Sequence, residues 1–193
     1  VLGSGAFAQS GSSTTINKAT QTQSGSASRQ QADIGNTTGS GGTRVRLGTV
    51  NQSQVGAAQR QQLEVGNVKG RGRSEVNAGF IGQQQAGALN SQSAKIGNAD
   101  GGKTKVNIGA INQTQAGALN RQELEIGNVS GRGNSRVSVG SVNQVQAGAL
   151  NTQSTKIGNA KDTGRSNVSI GSVNQLQAGA MNRQKVEVGN TSG

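Results

Sequence analysis

The chain lacks cysteine, histidine, proline, tryptophan and tyrosine, and its two aromatic residues are Phe7 and Phe80. Without cysteine there are no disulfides and no thiol chemistry; without histidine there is no imidazole acid–base catalysis and no usual zinc site. Without proline, every residue keeps its backbone donor, so the chain can pair along its whole length. No apolar run approaches the roughly 20 residues needed to span a bilayer. Acids are scarce, eight Asp and Glu against 19 Lys and Arg, for a net charge of +11. Only 30% of the 193 residues are apolar and 32 are glycine, too little apolar matter to offset chain entropy by side-chain burial alone. Such a composition suits a disordered chain, and order has to be argued from something else.

That something is a repeat. Asn143-Gln-Val-Gln-Ala-Gly-Ala-Leu-Asn151 recurs at 112–120 and 174–182, and more loosely at 20–28, 51–59 and 82–90. Its central glycine falls at Gly25, Gly56, Gly87, Gly117, Gly148 and Gly179, at intervals of 31, 31, 30, 31 and 31 residues. A closing Gly-Asn pair keeps step, from Gly35-Asn36 to Gly189-Asn190. Disordered linkers seldom hold such a period over six copies, and self-similarity of this length marks stacked units.

Residues 1–13 form a Gly/Ser-rich segment without the repeat, and 14–193 are six rungs. The first begins near Thr14 and the others near Arg44, Glu75, Lys105, Arg136 and Asn167. Inside a rung, Val137 and Val139 alternate, Gly140 permits a bend, Val142 to Gln146 follow, Ala-Gly-Ala turns a corner, and Asn151 to Ile157 run on. Period-two alternation punctuated by glycine reads as short strands, with no sustained helical stripe.

Parity predicts what points inward. The column Ile34, Val65, Ile96, Ile126, Ile157, Val188 is aliphatic throughout, and four residues earlier stands Gln30, Gln61, Gln92, Gln122, Gln153, Gln184. Two more columns never vary: Gln21, Gln52, Gln83, Gln113, Gln144, Gln175 and Gln23, Gln54, Gln85, Gln115, Gln146, Gln177. Their neighbours Thr22, Ser53, Gln84, Thr114, Val145 and Leu176 change freely, as outward residues do. An unpaired buried amide costs about 1–3 kcal/mol. Identical glutamines stacked at roughly 4.8 Å satisfy one another in a ladder. The expected fold is therefore all-β, a cross-β solenoid of six rungs with interior Gln/Asn ladders. Solvated outer glutamines are the competing reading.

Charge repeats too. The column Asp33, Glu64, Lys95, Glu125, Lys156, Glu187 alternates in sign from Glu64 onward, so stacked neighbours are expected to attract. Arg60, Arg121 and Arg183 share the two-rung alternation. Eleven cations are assigned to outer loops that stack into one edge: Arg44, Arg46, Lys69, Arg71, Arg73, Lys103, Lys105, Arg132, Arg136, Lys161 and Arg165. Such a stripe attracts polyanions (acidic polysaccharide, lipopolysaccharide, extracellular DNA) by screened, sequence-independent attraction. A solvated edge that prevents sideways aggregation is the alternative. Ala6-Phe7-Ala8 has the form of a secretory cleavage site, so residues 1–8 read as a signal-peptide remnant and export is expected.

The spacing Gln-x-Gly-x-x-Asn, at Gln85 to Asn90, Gln115 to Asn120, Gln146 to Asn151 and Gln177 to Asn182, resembles the repeat of curli-type major subunits; the Asn/Gln-rich character is also similar to Fap fibre subunits. The resemblance covers residues 14–190. It implies a secreted functional amyloid of bacterial biofilms, built of stacked β-arcs with inward Asn and Gln. Curli repeats are shorter, and here Gln153 stands where curli would place an alanine. The expected function is an extracellular fibre subunit that polymerises end to end with itself, rung six onto rung one, with Glu187 meeting Asp33 as a mismatch. The alternative is a monomeric β-solenoid adhesin or surface-binding protein, which should show one flat face of regular Thr or a dedicated cap. Catalysis is not expected, since clustered acids are needed for proton transfer and only Glu123 and Glu125 lie close together. No cofactor or metal is expected.

Overall fold

A computed structural model describes residues 2–192 apart from 8–12, 26, 28, 118, 182 and 190; for 2–7, 14, 23 and 191–192 it describes the backbone alone. Each rung is one turn of a β-solenoid with three strands. The long strands are Ser13–Ser24, Gly42–Val55, Arg73–Ala86, Lys103–Gln115, Asn134–Ala147 and Arg165–Ala178. The middle strands are Arg29–Ile34, Arg60–Val65, Ser91–Ile96, Arg121–Ile126, Thr152–Ile157 and Arg183–Val188. The short strands are Thr37–Thr38, Val68–Lys69, Ala99–Asp100, Val129–Ser130, Ala160–Lys161 and Thr191–Ser192.

Every strand pairs in parallel with its counterpart one rung away, which builds three sheets. The register Arg44↔Glu75↔Lys105↔Arg136↔Asn167 reproduces the rung starts expected from the repeat. One strand stands outside the repeat. Leu2–Phe7 runs parallel to Arg29–Ile34, from Leu2↔Arg29 to Phe7↔Ile34, and adds a seventh strand to the middle sheet below rung one. Ala8, the expected cleavage residue, lies outside the described residues.

The long strand is bent, because its inward positions change parity. Thr43, Val45 and Leu47 are buried, then Val50, Gln52 and Gln54. The bend needs Gly48, Gly79, Gly109, Gly140 and Gly171. A Cβ on any of them would stand 2.2–2.7 Å from the carbonyl oxygen of the rung below. Rung one carries Asn17 at this position, at the outer edge of its sheet. The expectation of a separate strand around Val137–Val139 thus becomes the first half of one bent strand.

The interior has two halves. Near the closing Gly-Asn turn it is aliphatic: the columns through Val106, Ile108, Ile111, Leu124 and Ile126 form one cluster. Near the glutamine corner it is amide. A solenoid this thin buries little apolar surface per residue, so the polar half must be bonded throughout to be tolerated.

Candidate functional site: ladders, corners and the basic edge

The glutamine columns are inward and paired. In the first, Nε2 of Gln52, Gln83, Gln113, Gln144 and Gln175 donates to Oε1 of Gln21, Gln52, Gln83, Gln113 and Gln144 at 2.7–2.9 Å. In the column of Gln30, Gln61, Gln92, Gln122, Gln153 and Gln184, each amide donates to the rung below at 2.8–2.9 Å. The column of Gln54, Gln85, Gln115, Gln146 and Gln177 does the same at 3.0–3.2 Å. The side chain of Gln23, its expected first member, lies outside the described residues. All the described links run in one direction, from the higher rung to the lower.

The same amides also lock the corner. The second proton of Gln85 goes across it to the Ser91 carbonyl at 2.9 Å, and Gln54, Gln115, Gln146 and Gln177 repeat this toward Arg60, Arg121, Thr152 and Arg183. The corner glycines are required twice over. Gly56, Gly87, Gly117, Gly148 and Gly179 have φ of 99–121°, and a Cβ there would stand 2.0–2.4 Å from the glycine carbonyl below. Gly25 shares the φ, at 117°, but a Cβ there would meet nothing within 4 Å.

The asparagine part of the expected Gln/Asn ladders had no residues assigned to it, and the structure supplies them. The motif's last residue, Asn90, Asn120 or Asn151, turns inward and is fully buried. Asn90 Nδ2 reaches the Gly87 carbonyl at 2.7 Å, the Ala116 carbonyl at 2.8 Å and Asn120 Oδ1 at 3.1 Å. Asn120 bonds on to Asn151 at 3.1 Å. Rung two has Gln59 instead; its Nε2 and Oε1, and Asn90 Oδ1 above them, are buried without partners. Ser28 and Asn182 lie outside the described residues. The readable signal was the fixed Asn three residues after the corner glycine. The residue just before it, Leu89, Leu119 or Leu150, is exposed and left-handed at φ 62°.

Two charge expectations need correction. In the alternating column, Lys156 meets Glu125 at 3.7 Å, but Glu187 pairs with Lys185 in its own rung and Glu64 accepts from Gln62 at 2.9 Å. Side chains two apart on one strand face share a side, so these contacts compete with those along the stack. The second correction concerns the cations assigned to loops. Arg44, Arg46, Arg73, Lys103, Lys105, Arg136 and Arg165 are outward residues of the long strands; Lys69 and Lys161 sit on short strands, and only Arg71 and Arg132 of the set sit in the turns between. The alternation of Thr43, Val45 and Leu47 inward carries the strand through the Gly/Arg-rich stretch.

The basic edge survives this relocation, because the strands stack. Within it Glu75 bridges Arg44 at 3.0 Å and Lys105 at 3.1 Å. Lys105, then Arg44, holds its carboxyl below the ordinary glutamate range. Glu123 and Glu125 share one outer strand face, and their register neighbours on the adjoining rungs are Ser93 and Ser154, Lys95 and Lys156. No helix of the described residues is long and apolar enough to cross a membrane. Set against known proteins, the chain matches no family, no curated protein and no solved structure.

Proposed function

We propose that this chain is the secreted structural subunit of an extracellular amyloid-like fibre of the biofilm-matrix kind that its curli-like motif implies, growing by axial stacking of solenoids. The observation that carries the reading is the single direction of the three glutamine ladders; the shorter asparagine ladder from Asn90 to Asn151 runs the other way. In rung six the amides of Gln175, Gln177 and Gln184 donate to the rung below, which leaves their oxygens to accept from a further rung. Rung one begins two of them on the amides of Gln21 and Gln30. Donor end and acceptor end are complementary, so copies add head to tail and not tail to tail. Rung six also leaves Val186 and Val188 half exposed, which a further rung would cover.

Three features of rung one oppose a simple join. The strand Leu2–Phe7 occupies the place of an incoming middle strand, Asn17 lacks the glycine that close stacking requires, and Asp33 would face Glu187. Assembly therefore needs the N-terminal strand to leave, and a chain lacking residues 1–8 should assemble faster. The same features favour the monomeric adhesin if they hold. Sedimentation at rising concentration decides between the two, together with negative-stain microscopy and diffraction for the ~4.8 Å rung spacing. A protein that stays monomeric with and without residues 1–8 would sink the fibre reading.

The basic edge is the proposed contact for acidic polysaccharide, lipopolysaccharide or extracellular DNA. Binding should fall steeply with salt, as counterion release demands, and should show no sequence preference on DNA.

A further inference from the structure

Between the bend glycine and the corner, residues 48–59, 79–90, 109–120, 140–151 and 171–182 contain no charged side chain. At the chain's average of 14% charged residues, those positions would hold about eight. Ladders and corners account for the inward half. They do not account for the outward half, which varies freely: Thr49, Phe80, Ala110, Ser141 and Ser172 form one outer column, and Ser53, Gln84, Thr114, Val145 and Leu176 another. Polar, aliphatic and aromatic residues are all accepted there, but in rungs two to six never a charge; rung one places Lys18 beside Thr49 at the end of the first column. The outer faces of the middle strands and of the first half of the long strands carry charge in most rungs.

Stacking gathers these positions into one uncharged wall. Its amides already bond along the axis, Asn143 to Asn112 and Asn174 to Asn143, each at 2.9 Å, so they depend less on water. The wall continues around the corner onto Leu89, Leu119, Leu150 and Met181. All four are exposed with φ of 61–62°, a conformation that costs an L residue more than glycine. A large apolar side chain is kept there despite strain and despite facing solvent.

The geometry points to lateral pairing of two solenoids, wall against wall, with a second copy of this chain as the occupant. Charge selects the face, because the basic edges of two such copies repel each other, while this wall carries no charge in rungs two to six. Period selects the partner. Only a second solenoid has the same rung rise, so that every column meets a column and the two sheets can interdigitate at about 10 Å as a dry zipper. The area suffices. Seven strand residues by five rungs span about 23 by 24 Å, about 550 Å² on each copy, which reaches the ~1,000 Å² total of a specific interface. The pairing does not require axial growth, though a fibre would multiply it.

Mass per length by dark-field electron microscopy tests it. A single solenoid fibre carries one 19.4 kDa subunit per ~29 Å of six rungs; the wild type should show twice that value. Ser53→Lys with Thr114→Lys puts lysines on the wall in alternate rungs and should halve it. Ser93→Lys with Ser154→Lys adds the same charge to the middle-strand face and should leave it doubled. A wild-type value of one subunit per rise, or a doubled value in the wall variant, overturns the proposal. If no fibres form, the axial reading fails on its own and sedimentation reads the wall. A dimer that the wall lysines dissociate then supports pairing, and a monomer overturns it. Monomeric wild type that binds insoluble cellulose, with binding lost in the wall variant, would give the wall to polysaccharide and also overturn pairing.

Discussion

Replacing Gln59 with asparagine should stabilise the fold, which few buried substitutions do. Gln59 sits where rungs three to five have Asn90, Asn120 and Asn151, and it leaves three buried atoms unpaired: its own Nε2 and Oε1, and Asn90 Oδ1. One methylene shorter, the amide would reach the Gly56 and Ala86 carbonyls as Asn90 reaches Gly87 and Ala116, and would donate to Asn90 Oδ1 as Asn90 donates to Asn120. Two of the three atoms are then satisfied, at about 1–3 kcal/mol each. The lost methylene gives back about 0.8 kcal/mol, and one amide oxygen stays without a partner. The net gain should be about 1–5 kcal/mol, at about 2–4 °C in Tm per kcal/mol for a chain of this size. Thermal unfolding followed by circular dichroism reads it. Because repeat arrays can unfold in pieces, hydrogen exchange of the Ala58 amide, bonded to the Ala88 carbonyl at 3.0 Å, should slow in parallel. The reverse change, Asn120→Gln, should cost a similar amount. An unchanged or lower Tm for Gln59→Asn would refute the account of this column.

Gln122→Glu, Gln153→Glu and Gln184→Glu together would stack like charges in three successive rungs where the first two are fully buried. The β-signal should be lost at pH 7 and return on acidification, since burial raises a carboxyl's pKa and the protonated form folds; a normal spectrum at pH 7 would contradict the ladder. Gly109→Ala should destabilise more than Gly39→Ala, because the new methyl meets the Gly79 carbonyl at 2.5 Å in the first, while the second meets open space and carries only the backbone strain of φ 86°; equal urea midpoints would count against the stacking argument. For Glu75 the folded pKa is lowered, so its contribution is complete above the ordinary glutamate range and fades as pH falls through the lowered value. Arg44 and Lys105 are more than half exposed, so Glu75→Gln should shift stability by less than ~1 kcal/mol. It should also raise the salt needed to elute the protein from an immobilised polyanion, and unchanged elution would detach Glu75 from the basic edge.

Much of this architecture was legible because stacking imposes the same demand on each rung. A glutamine that never varies beside a neighbour that always does reveals its face, and so Gln52, Gln54 and Gln61 could be placed inside. The rung starts at Arg44, Glu75, Lys105 and Arg136 followed from the same constancy. Asn90 and Asn120 were harder, because asparagine beside a corner glycine suits an exposed turn as well as a buried cap. Arg73 and Lys103 were taken for loop residues because glycines surround them; the inward Ser74 and Thr104 hold them on the strand. Contacts such as Lys185 with Glu187 were illegible for another reason. Periodicity says which residues stack, but not whether a flexible side chain turns along its strand or across to the next.

The axial direction of the bonding has a mechanical consequence. Backbone pairs between rungs and the glutamine-to-glutamine bonds lie along the solenoid axis, with no disulfide to tie one turn to a distant one. A pull on the two chain ends would therefore load one rung boundary at a time, peeling a turn before the next is stressed. Each released turn of about 31 residues yields up to roughly 100 Å of slack, at a similar force because each boundary is built alike. A single molecule held in a force microscope should unspool in a sawtooth of nearly equal teeth, which makes it a shock absorber made of one repeated motif.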